Sequence, residues 1–318
     1  MVYTADNILS AVKRNQNIVT NNFRFTDDDL LEFINDEIRN TVTPLLLSLQ
    51  SERLTYTQHI TLTNSVSAYD IPYRAVGGQL REAFWVDSST SPTQIINLKW
   101  YTLEDGLRVL STGQPTGIYF SGDQINVVPK TPTTASGYLK LVYAIRHSNV
   151  VLTEDTTLIS SVDYNTGVVT TQSTIPTTFT SNLYYDFTLA NDRSKPRILT
   201  IDKVASAATG TSITFTAADI PTGLVSGDRI SLANQTSVLC LPDECYKYLC
   251  KAVELKIVEA QKDIEAVNII NNELQAILRK MEMILTPRIV GEARPILNSS
   301  ILTNRRLGRK TIPDITGS

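Results

Sequence analysis

LPDECYKYLCKAVELKIVEAQKDIEAVNIINNELQAILRKMEMIL, residues 241–285, decides how the C-terminal part of this chain folds. Val253, Ile257, Ala260, Ile264, Val267, Ile270, Leu274, Ile277, Met281 and Ile284 follow one another in steps of three and four. That is the repeat of a helix packing lengthwise on another helix. Pro242 in the first turn, with Asp243 and Glu244 where the helix dipole favours acids, marks the start. Gln261-Lys262-Asp263 is the point where the helix is expected to break in two.

Past Pro287 the periodicity stops. Residues 288–318 carry two apolar pairs, Ile296–Leu297 and Ile301–Leu302, among polar and basic residues. A segment so short cannot bury those pairs internally, so it is expected to stay disordered or to order against a neighbour. Arg288, Arg294, Arg305, Arg306, Arg309 and Lys310 stand against only Glu292 and Asp314, although the whole chain has a formal net charge of -3. Phosphate, an acidic protein surface and plain solvent are all open as surroundings for this arm. With no aromatic residue interleaved, stacking on single-stranded nucleic acid is not expected.

At the other end, residues 4–16 read as a short helix. Thr26 then caps a second, with Asp27, Asp28 and Asp29 in its first turn. Leu30, Leu31, Phe33, Ile34, Ile38, Val42, Leu45, Leu46 and Leu49 give it an apolar face, and Pro44 should kink or end it near Thr43. Between the helical ends the texture changes to Thr, Val, Ile, Tyr and Ser, with turn residues at short intervals. Strands are expected at 56–62, 80–86, 117–120, 124–128, 138–145, 167–172, 198–204, 211–216 and 229–232, with hairpin turns at 121–123 and 163–167. ITLTNSVSAYDIP (60–72) and ITFTAADIP (213–221) echo each other, by duplication or by chance.

The predicted class is therefore α+β. N- and C-terminal helices (1–53 and 241–287) form one helical unit around a large inserted antiparallel β-domain (54–240), and an extended arm (288–318) follows. No apolar run approaches 18 residues and no signal-peptide pattern is present, which predicts neither a membrane span nor secretion.

Chemistry-bearing motifs are missing. There is no GxGxxG after a strand, no P-loop, no GxSxG and no HExxH. His59 and His147 lie far apart and read as partly exposed strand residues. Asp163-x-Asn165-x-Gly167 begins like a calcium loop, but Val168 and Thr174 stand where glycine and glutamate are needed. Cys240, Cys245 and Cys250, five apart, point in different directions on a helix and read as buried reduced thiols. No enzyme, no cofactor and no metal is expected.

YDIPYRAVGGQLREAFWVD (69–87) resembles the "Y-x-I/L-P-x-R-A-x-G-x-x-L-R" strand pair of head-to-tail connector (adaptor) proteins of tailed bacteriophages, as in the tail accessory factors of short-tailed phages. Further similarities follow in chain order. They are Gln114-Pro115 before the 118–120 strand, Ile125 to Pro129, Leu139 to Arg146, Val225-Ser226-Gly227-Asp228, Leu241-Pro242-Asp243-Glu244 and Arg288-Ile-Val-Gly-Glu-Ala-Arg294. Lys262-Asp263 departs from the usual Gly-Asp between the closing helices.

This resemblance implies a structural virion protein, made in the host cytoplasm. It implies a homo-oligomeric ring of about twelve copies, a dodecamer at the portal vertex, with tail or fibre proteins docking below and double-stranded DNA passing through the centre. In that setting Val253, Ile257, Ile264, Val267, Leu274, Ile277 and Met281 would pack between subunits. Arg288, Arg294, Ile296, Leu297, Ile301, Leu302, Arg305, Arg306, Arg309 and Lys310 would engage the portal protein or a neighbouring subunit. Asp27, Asp28, Asp29, Glu32 and Asp36 would line the DNA channel. The alternative is a β-rich baseplate or tail-fibre adaptor component that trimerises through its helices.

Overall fold

The computed structural model describes residues 2–16, 25–63, 66–87, 93–109, 113–129, 137–190 and 195–286. The chain divides into two units, Met1–Leu285 and Thr286–Ser318, and every element described lies in the first. The fold is α+β, with terminal helices around a large β-region.

Helix α1 (Ala5–Asn15) starts at Thr4, whose backbone N–H and hydroxyl both reach Asn7 Oδ1, at 2.9 and 3.0 Å. Helix α2 (Asp27–Glu37) has a reciprocal capping box: Asp29 N–H donates to Thr26 Oγ1 at 3.2 Å, and the Asp29 carboxylate accepts from Thr26 N–H at 2.8 Å. Pro44 does not end this helical run. The backbone widens into a π-turn over Ile38–Val42 and continues as α3 (Thr43–Leu49), with Pro44 in the first turn of α3. An i→i+5 turn re-spaces the carbonyls that a proline without an N–H would otherwise leave mismatched. At the far end α5 (Glu244–Gln261) and α6 (Ile264–Leu285) pack as an antiparallel pair. The break falls where expected, but no glycine makes it: Lys262 itself takes a left-handed conformation, φ 61°. Asp263 then caps α6, accepting from Ala266 N–H at 3.1 Å.

Ile8 and Val12 of α1, Leu30 and Ile34 of α2, Leu46 of α3, Leu249, Val253 and Ile257 of α5, and Leu274 and Met281 of α6 share one core. Glu254, 1 % exposed, ties three helices together. It accepts from Asn15 Nδ2 at 2.6 Å and pairs with Lys251 at 2.8 Å, which also reaches Glu273 at 3.0 Å. The chain leaves this unit near Leu54 and returns at Ser237–Leu241. There Ala5 N–H donates to Ser237 O and Leu239 N–H to Tyr3 O.

The β-region contains two cores. The first lies between two four-stranded sheets. One has the order β1-β8-β3-β4, the other β2-β7-β6-β5, from β1 (Thr55–Thr61), β2 (Ala68–Asp70), β3 (Ala75–Asp87), β4 (Gln94–Asn97), β5 (Lys99–Trp100), β6 (Gly117–Ser121), β7 (Gln124–Val128) and β8 (Tyr138–Ile145). A one-turn helix α4 (Leu103–Arg108) links β5 to β6. Alternation along β8 puts Leu139, Leu141, Tyr143 and Ile145 inward. The second core, around Ile159, Tyr185, Phe187, Phe215 and Ile230, fills a closed six-stranded barrel. Its strands are β10 (Thr157–Asp163), β11 (Val168–Thr171), β12 (Tyr184–Leu189), β13 (Arg197–Thr209), β14 (Ser212–Phe215) and β15 (Arg229–Leu232), with β10 closing on β15.

A short parallel pair, β9 (Asn149–Val150) with β16 (Gln235–Thr236), lies between barrel and helices. Asn35 of α2 clasps it: its amide donates to Val150 O at 3.0 Å and accepts from Val150 N–H at 2.6 Å. The two echoing segments sit in unlike surroundings. Asp70 ends β2 in the first core, whereas Asp219 lies in a 3-10 turn beside the barrel, paired with Lys203 at 2.8 Å.

Candidate assembly surfaces and a buried arginine clamp

The helical surfaces come first. Of the residues expected to pack between subunits, Val253, Ile257, Leu274 and Met281 are buried in the chain's own core. This corrects the expectation for these four: α5 folds back on α6, so the repeat is satisfied within one copy. Val267 and Ile277 are half-buried, and Ile264 is 76 % exposed. The outward apolar side of α6 consists of other residues, Ile269, Met283 and Ile284, all more than half exposed.

On α2, Asp28, Glu32 and Asp36 are exposed at four-residue spacing, which makes one acidic stripe. Asp27 is paired with Lys13, and Asp29 is held by the cap, where its contacts with Thr26 keep its carboxyl below the usual range. Asp36 accepts from Asn40 at 2.8 Å. The arm residues Arg288, Arg294, Ile296, Leu297, Ile301, Leu302, Arg305, Arg306, Arg309 and Lys310 lie outside the described residues.

The β-region adds a surface that the sequence reading missed. In α4 the single buried residue is Gly106. A Cβ there would stand 2.2 Å from the Tyr119 ring, so only glycine lets this helix lie on β6. Leu103 and Leu107 consequently point outward, 48 % and 60 % exposed. Trp100 and Phe120, ring centroids 5.3 Å apart, are exposed as well, as is Ile95. Large apolar side chains grouped in water on a folded domain make this a candidate contact surface.

The stretch 69–87 holds the β-region together. After β2 the chain turns through Tyr73 and Arg74, and both reach across to the barrel. Tyr73 Oη donates to Asp202 Oδ1 at 2.7 Å, and Arg74 Nη1 donates to Asp186 Oδ2 at 2.5 Å. Arg74 is 1 % and Asp186 0 % exposed. The remaining capacity of the carboxylate is filled by two backbone N–H groups, of Asp202 and Asn234, each at 3.0 Å. Both donors are non-glycine residues at positive φ, 56° and 63°, and that conformation aims their N–H groups at the carboxylate. Arg74 Nη2 donates to Ser148 Oγ at 2.5 Å. Burial pushes the Asp186 carboxyl up, while Arg74 and the backbone N–H groups pull it back. One ion pair thus joins the two-sheet core, the barrel and the strand leading to the helices.

His147 lies beside this clamp and, against expectation, is buried at 4 % exposure. Its Nδ1 sits 2.6 Å from Ser148 O, and its Nε2 has no hydrogen-bond partner. Burial lowers its pKa from 6.5 to about 4, with nearby Arg74 adding to the shift. His59 is the exposed one, against the Tyr138 ring at 4.5 Å. Asp228 of the Val225–Asp228 turn is buried too, accepting from Ala190 N–H at 3.0 Å and Val225 N–H at 2.9 Å. The three cysteines are free thiols, and burial raises Cys240 and Cys245 to about 12 and Cys250 to about 11.

Among the described residues no three of His, Cys, Asp and Glu gather as metal ligands, and no helix is long and apolar enough to cross a membrane. No family model matches the chain, and no curated protein matches its sequence.

Proposed function

We propose that this chain is a structural head-to-tail connector protein of a tailed-phage virion. In this reading its copies form a ring, a dodecamer, between the portal vertex and the tail, and DNA passes through the centre. The observation that carries the reading is the clamp. The Tyr69–Asp87 stretch that resembles connector proteins is spent on fixing one β-core to the other, through Tyr73 and Arg74. A motif serving rigidity suits a scaffold better than a catalyst. The terminal helices, closed into one unit around the β-region, add support, as do the separate apolar surfaces at α6 and α4.

The parts take these roles. The outward side of α6 meets a neighbouring copy. The Trp100, Leu103, Leu107 and Phe120 surface receives a tail or fibre protein. The stripe Asp28, Glu32, Asp36 faces DNA, which like charge keeps from sticking. Residues 288–318 attach to the portal, their ordering coupled to its presence. A chain lacking 288–318 should keep the circular dichroism spectrum of the β-region and fail to co-sediment with portal rings. Co-sedimentation at full strength would remove the arm from the account.

A further inference from the structure

A cleft of about 570 Å³ opens in the first unit between the turn before β1, the start of β1 and the stretch leading into β13. Arg53, Lys195 and Arg197 stand in its lining, all exposed, against a single acid among the described residues, Glu52. None of the three cations belongs to an ion pair among the described residues. Ile198 and Leu199 contribute apolar wall.

Two strand edges border the cleft. β1 is the outermost strand of its sheet and bonds to β8 alone. β13 bonds to β12 from Arg197 to Val204 and to β14 only from Ala205, and its Thr200–Ile201 stretch is taken by the Tyr56 hydroxyl, which leaves the β1 edge as the open one. A bare edge offers a row of backbone N–H and C=O groups. An extended chain puts every second side chain on one face. A segment alternating acids with β-branched residues would turn its carboxylates to the three cations and its other face to the wall, while its backbone pairs with the edge. Of the aromatic rings among the described lining residues, Tyr56 already packs against Tyr143 at 5.9 Å and His147 is buried, so neither is free to stack on a base.

We propose that this cleft receives an extended acidic segment of a partner protein, added as a strand along the β1 edge. The inference stands apart from the ring reading and holds whether or not the chain forms a ring. Fluorescence anisotropy of the full chain tests it with a short labelled peptide alternating glutamate and valine. Two comparison peptides accompany it: one alternating lysine and valine, and one with the glutamate sequence N-methylated at alternate residues. The glutamate peptide should bind and the lysine peptide should not. N-methylation should weaken binding about tenfold or more, and so should the double substitution Arg53→Glu, Arg197→Glu. Both arginines are exposed, and a melting curve matching the wild type shows that the variant is folded. The proposal is overturned if the glutamate peptide does not bind, if the N-methylated peptide binds equally, or if the double variant binds as before. Displacement of the peptide by a short DNA duplex at equal charge would also overturn it, in favour of a phosphate site.

Discussion

Arg74 is the residue on which most depends. With its partner Asp186 it forms a fully buried ion pair, and removing one member strands the other charge in a dry site. Arg74→Ala should cost about 3–5 kcal/mol, read as a fall in the urea midpoint. Replacing both members by apolar residues of similar volume should recover much of that loss. The sequence drew notice to the stretch that holds Arg74, through its resemblance, but not to the role of the arginine in the clamp. Asp186 was not legible: YYDFTL looks like an ordinary strand, and the acid's partner lies more than a hundred residues earlier. Neighbouring His147 makes a pH prediction. Its folded pKa of about 4 lies below its ordinary 6.5, so the unfolded chain takes up a proton first as pH falls. The stability tied to the neutral ring is fully present above pH 6.5 and is lost down to about pH 4, roughly 3 kcal/mol in all. Chemical denaturation of the wild type across that range should show the slope, and His147→Gln should flatten it.

Elements were legible where local signals sufficed. The cap at Thr26, the strand at 138–145 and the turn at Asp163–Gly167 are short-range features, and each appears where it was expected. Strands β10 and β12 escaped because barrel closure, not local pattern, defines them: β12 is buried on both faces from Tyr185 to Leu189 and lacks alternation. The helical repeat of residues 253–284 gave the right elements but not their partner. A helix packed on a neighbouring copy and one folded back on its own chain need the same spacing. Lys262 settles that choice with a conformation that costs a lysine side chain about 1–2 kcal/mol relative to glycine. Lys262→Gly should therefore raise stability by about 1 kcal/mol, measured as a higher melting temperature. Thr26→Ala, which removes the cap on Asp29, should lower it by about 1 kcal/mol.

For the molecule as a whole, the α+β class followed from texture alone, helical ends around a threonine-rich middle. The division of that middle into a two-sheet core and a closed barrel did not, because it rests on pairings such as β10 with β15 across a long stretch of chain. The proposed assembly rests on surfaces: the outward side of α6, the apolar side chains around Leu103 and Leu107, and the acidic stripe of α2. Native mass spectrometry of the purified chain, alone and mixed with the portal ring of a tailed phage, tests the connector proposal most directly. A connector should form a closed ring with the portal, near twelve copies. A stable trimer that ignores the portal would contradict the account and point to a fibre or baseplate component.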